Sequence, residues 1–294
     1  ENVFYDCSSL TSITIPEGVT CIGGAAFLGC SSLTSITIPE GVTSIGYSAF
    51  GSCNSLTSIT IPEGVTEIGA YAFSGCSGLT NVTISNSVIR IGKSAFSGCT
   101  GLTSIVIPNS VTNIGEQAFY NCTGLTRVEF NAENCETMGH LSSPVFKECT
   151  ALSSVVIGDK VKTVPDCAFC DCEGLECVKI GNSVESIGEY VFSGCSGLKS
   201  IIIPNSVTSI GRCAFEDCIN LTNVEFNAEN CTTMGSSDSH VFEGCISLSS
   251  VIFGDNVKII PDYIFYDCRS LTGVAIGDSV TNIGKYAFQN CSSK

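Results

Sequence analysis

The chain of 294 residues carries 28 acidic and 13 basic side chains, a formal net charge of −15. Nucleic-acid binding needs clustered Lys and Arg, so this balance excludes that class and argues against docking on anionic lipid. No run of 18 apolar residues occurs, so no membrane insertion is expected within the chain.

One period runs from end to end. Cys7, Cys30, Cys53, Cys76, Cys99 and Cys122 follow one another at 23 residues. One step of 27 leads to Cys149, steps of 23 to Cys172, Cys195 and Cys218, another 27 to Cys245, and 23 again to Cys268 and Cys291. A Phe precedes each of these cysteines by three residues, as Phe50 does Cys53, and a Leu follows all but Cys291 by three, as Leu33 does Cys30. A fixed period of about 20–50 residues marks a solenoid. The chain is therefore expected to be a single solenoid over residues 1–294, of about twelve 23-residue repeats with two lengthened to 27.

The coil starting at Leu33 shows what each repeat builds. Leu33-Thr34-Ser35-Ile36-Thr37-Ile38 alternates apolar and polar residues, the period of a half-buried strand. Pro39 cannot donate to a ladder and ends it, and Glu40-Gly41 turns the chain. Val42 and Ile45 return to the interior, and Gly46 turns again. Ala49, Phe50 and Cys53 then sit at helical spacing, which predicts one turn of α or 3₁₀ helix, too short to stand alone. A single repeat cannot bury its apolar residues; stacked repeats can.

The pattern Cys30-Ser31-Ser32-Leu33 through Ile45-Gly46 and Ala49-Phe50 resembles the BspA-like (Treponema pallidum-type) leucine-rich repeat. The resemblance covers the whole chain. It implies a leucine-rich repeat right-handed solenoid, with a parallel β-sheet on the concave face and short extended segments and 3₁₀/α turns on the convex side. It also implies a secreted or cell-surface location and a role in adhesion or protein binding. The chain begins and ends mid-repeat without capping repeats, which suggests an excerpt of a longer protein.

The irregular coils carry more functional information than the regular ones. Val128–Gly139 and Val224–Gly235 are near copies 96 residues apart, and Val164-Pro165-Asp166 recurs as Ile260-Pro261-Asp262. This reads as a duplicated block of four repeats. Both lengthened coils have one extra residue before Cys135 or Cys231 and three before Phe146 or Phe242. Solenoid insertions go to loops, often on the binding face, although drifted copies with no role fit equally.

Outward strand positions in the first repeats are small (Ser35, Thr37, Ser58, Thr60). Later they hold Val106, Arg127 and Glu129, then Val156, Lys179, Ile202, Glu225 and Ile252. Apolar residues here suit protein docking, and also suit strands in general. Two residues before the Phe, a position expected to be exposed, Tyr190, His240, Tyr263 and Tyr286 would align in a stripe. Such a stripe is either an interface anchor or amphipathic cover.

The periodic cysteines are read as buried free thiols, because parallel side chains on stacked coils do not face each other as a disulfide requires. Cys135 and Cys231 take the place of the ladder Val and are expected inside. Cys21, Cys167, Cys170, Cys177 and Cys213 fall at outward positions; exposed thiols leave a cytoplasmic location open. Cys167-Ala168-Phe169-Cys170 lacks the second pair of a zinc site, and no metal or cofactor is expected. Cys213 and His240 share a register on adjacent coils with Asp238 nearby, but no pocket accompanies them and no catalytic residue is assigned.

The leading expectation is a non-enzymatic interaction or adhesion module. It would recognise a protein or glycoconjugate through the concave face and the insertion loops. The alternative is a structural spacer that holds another domain away from the cell surface.

Overall fold

The structure, a computed structural model, describes residues 1–235 and 240–291. Asp238 lies outside them. The chain forms two compact units, Glu1–Leu152 and Ser153–Lys294. Each is a parallel β-solenoid of the coil read from the sequence.

In the first unit the long strands Ser58–Ile61 and Asn81–Ile84 pair in register, and so do Ser104–Ile107 and Arg127–Phe130. Two-residue strands form a second, six-stranded parallel sheet: Cys21–Ile22, Ser44–Ile45, Glu67–Ile68, Arg90–Ile91, Asn113–Ile114 and Thr137–Met138. In the second unit Ser154–Ile157 pairs with Cys177–Lys179. Ser200–Ile203, Asn223–Phe226, Ser250–Phe253 and Gly273–Ala275 form a four-stranded parallel sheet. Its short strands are Thr163–Val164, Ser186–Ile187, Ser209–Ile210 and Thr233–Met234, with Ile259–Ile260 and Asn282–Ile283 as a separate pair. Strand residues alternate as expected: Ser58 and Thr60 are exposed, Ile59 and Ile61 buried.

Inside each coil the periodic residues stack on themselves. In the first unit Phe4, Phe27, Phe50, Phe73, Phe96, Phe119 and Phe146 form one column, with centroids 5.2 Å apart and ring planes within 4–13°. In the second unit the column from Phe169 to Phe288 has spacings of 5.0–5.9 Å. This is the offset stack that aromatic quadrupoles favour.

The cysteine column has a chemical reason. The Phe50 carbonyl accepts the Cys53 N–H at 3.2 Å and the Cys76 S–H of the next coil at 3.0 Å. The same thiol bond recurs at 3.2 Å from Cys53 to Phe27, Cys99 to Phe73 and Cys122 to Phe96. In the second unit it joins Cys195 to Phe169, Cys218 to Phe192 and Cys245 to Phe215 at 3.2–3.3 Å. A carbonyl has two lone pairs, and the thiol is a small apolar group that still donates to the second. The column cysteines donate these thiol bonds instead of pairing as disulfides. Burial pushes the Cys99 thiol up to about 12.

The expected helical turn around the Phe does not form, and no helix occurs among the described residues. Two left-handed residues flank the Phe in the regular coils instead, such as Ser48 (φ 51°) and Ser52 (φ 56°) around Phe50, whereas in the lengthened coils Phe146 and Phe242 have only the following one, Glu148 and Gly244. Amide donors alternate between two destinations. Ala49, Gly51 and Cys53 bond within their own coil, to Gly46, Ser48 and Phe50. Ser48, Phe50 and Ser52 bond outward, to Ala70, Ala72 and Ser74 of the next coil. A helix would consume every donor internally and leave none to join the coils. That requirement overrides the helical spacing of Ala49, Phe50 and Cys53, and explains why Gly, Asn, Asp and Ser recur two residues after the Phe.

The outward expectation fails for three cysteines. Cys167, Cys170 and Cys213 are 7%, 2% and 3% exposed, whereas Cys21 and Cys177 are exposed. Cys167 and Cys213 hold the left-handed position (φ 56° and 52°), where the stacked neighbouring turns cover the side chain. Cys135 and Cys231 are buried, as read from their Val-like register.

Alkylation of the native protein followed by peptide mass spectrometry is expected to label the exposed Cys7, Cys21 and Cys177. The buried Cys53, Cys76, Cys99 and Cys122 should stay unlabelled until denaturant is added. Phe96→Ala, at a site with no solvent exposure, is expected to cost about 3–5 kcal/mol by urea denaturation.

Candidate functional site

The pleat of the long strands decides which side chains face out. In the first unit Arg127 and Glu129 lie in register with Ser104 and Val106. Val106 is 49% exposed. Arg127 Nη2 stands 3.7 Å from Glu129 Oε2, and Asn131 Nδ2 donates to Glu129 Oε1 at 2.9 Å. An exposed pair of this kind contributes about 0–1 kcal/mol, so its effect is mainly to orient the carboxylate.

In the second unit Ile202, Glu225 and Ile252 lie side by side on three successive strands. The two isoleucines are 55% and 44% exposed. Asn227 Nδ2 donates to Glu225 Oε1 at 2.8 Å, reproducing the Asn131–Glu129 pair of the first unit. Lys179 is exposed and in register with Val156, which is half-buried rather than fully exposed.

Beside Ile202 a cleft of about 330 Å³ is lined by Pro204, Asn205, Asn227, Glu229 and Asp255. Its amides and carboxylates offer both donors and acceptors next to an apolar side chain. Reading the sequence by strand faces missed it, because it is built by the turns after the strands. The available signal was a change in those turns: Glu40-Gly41 in an early coil becomes Asn205-Ser206 and Asp255-Asn256 later.

Tyr190, His240, Tyr263 and Tyr286 all lie in the second unit but do not form an exposed stripe. Tyr286 is 52% exposed, whereas Tyr190, His240 and Tyr263 are partly buried. The rings cover one another. His240 lies 5.7 Å from Tyr263 and 4.4 Å from Tyr266, and Tyr263 lies 5.0 Å from Tyr286. The Arg212 guanidinium sits over the Tyr190 ring at 5.4 Å.

The second lengthened coil leaves a seam in the short-strand sheet. In the regular coils a Gly N–H bonds to the preceding short strand, as Gly188 does to Val164, Gly211 to Ile187 and Gly284 to Ile260. At that register after the lengthened coil stands Pro261, which has no N–H. Among the described residues Ile259–Ile260 does not pair with Thr233–Met234, and a cavity of about 510 Å³ opens between them. Asp262 ties the far side of the seam to the next coil, its Oδ1 accepting the Lys285 N–H at 2.7 Å.

The comparisons agree with this architecture. The model of the BspA-type leucine-rich repeat region matches residues 1–126, 139–238 and 238–294. The chain belongs to the BspA-type leucine-rich repeat family. It is similar to a leucine-rich repeat protein from Bacteroides ovatus, with 36% identity over 95% of this chain and 72% of that one, and a TM-score of 0.67. It is also similar to a leucine-rich cell surface protein from Faecalibacterium prausnitzii, with 31% identity over 93% and 75% and a TM-score of 0.45. A third match is the pneumococcal vaccine antigen PcpA, with 24% identity over 93% and 67% and a TM-score of 0.48. None of the curated proteins matches the chain. Among the described residues no helix is long and apolar enough to cross a membrane. The family thus accounts for the repeated coil.

Replacing Asp262 by Ala removes the one side-chain bond recorded between the Pro261 turn and Lys285. A loss of about 1–2 kcal/mol is expected in urea denaturation.

Proposed function

We propose that the chain is a non-enzymatic interaction module of a surface or secreted protein. It binds a host or partner protein, or a glycoconjugate, through the outward face of the long strands in the second unit. The observation that carries this reading is the row Ile202, Glu225 and Ile252, two exposed isoleucines bracketing an oriented carboxylate. Isolated exposed apolar residues are ordinary, but two on alternate strands around a fixed charge resemble the apolar centre and polar rim of a recognition patch. The adjacent Asn-lined cleft adds donors and acceptors for a polar group of the ligand. The surface location is supported by the relative described as a cell surface protein.

A spacer role is favoured by a different observation, confined to the first unit. Its early outward residues, Ser58, Thr60, Asn81 and Thr83, are small, exposed and repetitive. The two readings divide the chain, with small outward residues early and a varied recognition surface later.

The test is a binding panel of purified extracellular-matrix glycoproteins and host-surface proteins read by biolayer interferometry. Wild type is expected to bind a panel member, and the double variant Ile202→Glu/Ile252→Glu to lose at least about tenfold in affinity, roughly 1.4 kcal/mol. Equal binding by both proteins would remove the row from consideration. Binding by neither would favour the spacer.

A further inference from the structure

The sequence brings Cys213 and His240 to one register, and the structure adds two more ligating side chains. Cys213 stands two residues before Phe215 and Glu216 one after; His240 and Glu243 stand likewise around Phe242. The two phenylalanines stack at 5.0 Å. Each pair closes its own turn, Glu216 N–H to Cys213 carbonyl at 3.1 Å and Glu243 N–H to His240 carbonyl at 3.4 Å. The result is a two-by-two array of side chains on adjacent coils. One ligand atom each from Cys213, Glu216 and Glu243 lies within 4.8 Å of the others. His240 Nδ1 stands 3.9 Å from Glu243 Oε2. We propose that Cys213, Glu216, His240 and Glu243 bind a divalent cation of the zinc class.

The donor set suits that ion. Zinc takes thiolate, imidazole and carboxylate in a tetrahedron with bonds of about 2.0–2.3 Å, which sets ligand atoms about 3.3–3.8 Å apart. Among Cys213, Glu216 and Glu243 that needs about 1 Å of contraction, within the range of a Glu side chain whose far end faces solvent, as Glu243 does at 51% exposure, while His240, beside Glu243 but outside that group of three, would have to turn toward them. A thiolate ligand disfavours calcium and magnesium, which take oxygen.

The surroundings fit as well. Ser193 Oγ donates to Glu216 Oε2 at 3.2 Å, holding that carboxylate as outer partners hold metal ligands. His240 is wedged against Tyr266 with only 13% of its side chain exposed, and its Nε2 is buried without a hydrogen-bond partner among the described residues. Elsewhere in the second unit, exposed carboxylates such as Glu185 and Glu189 pair with Lys162 and Arg212, whereas among the described residues no Lys or Arg forms an ion pair with Glu216 or Glu243.

The duplicated block gives an independent comparison. Ninety-six residues earlier the same four positions hold Gln117, Tyr120, Pro144 and Lys147. The surrounding pattern is shared, yet in one copy all four positions carry ligating groups, and Glu243 stands where the other copy has a lysine. On binding, the sulfur–metal bond forms as the Cys213 proton leaves to solvent, with no redox change. The ion joins two successive coils at the second lengthened one, a structural staple rather than a reaction centre.

The test uses the full chain, reduced and metal-free, titrated with Co²⁺ as a spectroscopic probe. One equivalent is expected to give the sulfur-to-cobalt charge-transfer band and tetrahedral d–d bands, both displaced by Zn²⁺. Cys213→Ser should abolish the charge-transfer band. Glu243→Lys, at an exposed position that is Lys147 in the other copy and so is compatible with the fold, should weaken Co²⁺ binding at least about tenfold. No charge-transfer band at one equivalent in wild type would overturn the site. So would equal affinity in the Glu243→Lys protein, since the metal would then sit on other thiols.

Discussion

Around the stacked Phe of the regular coils, backbone amides point alternately into their own coil and out to the next one. Ala49, Gly51 and Cys53 close local turns, while Ser48, Phe50 and Ser52 reach the neighbouring coil. The rest of the coil follows from that division. In the regular coils it places left-handed residues on both sides of the Phe, keeps the segment from becoming a helix, and fixes the coil spacing at which the rings stack. It also leaves each Phe carbonyl with a spare lone pair in a dry interior. The cysteine of the next coil supplies the donor, which a Val or Ala in its place would not.

Much of this was legible in the sequence. A strict period, strand alternation and the Pro and Gly punctuation specify stacked coils with Phe, Leu and Cys inside. The helical turn was misread because Ala49, Phe50 and Cys53 have helical spacing, and spacing says nothing about where the amide donors go. The burial of Cys167 and Cys213 was missed for the same reason. An outward position on a helix becomes, at a left-handed residue, a position covered by the adjacent coil. Gly29, Gly75, Asp171 and Asp217, two residues after the Phe, were the available hint, since these residue types tolerate positive φ.

The proposed recognition surface was legible in part. Strand alternation located Ile202, Glu225 and Ile252 correctly, because a pleat alone decides their side. The Asn-lined cleft and the four side chains of the proposed cation site were not found, because both depend on which turn stacks on which. Cys213 and His240 could be paired by counting, but Glu216 and Glu243 become their neighbours only once each turn is known to close over three residues. The seam at Pro261 follows the same logic. A four-residue insertion shifts one coil, and proline stands where an unmatched N–H would otherwise be buried.

The thiol-to-carbonyl bonds bear on the order of events in the life of the molecule. The chain contains 20 cysteines, most of them buried once folded, with thiols that burial keeps protonated and therefore slow to oxidise. Before the coils stack, the same thiols are open to solvent, and any that couples to another can no longer enter the column. Folding is thus in a race with oxidation, and the chain withstands an oxidising environment only if stacking comes first.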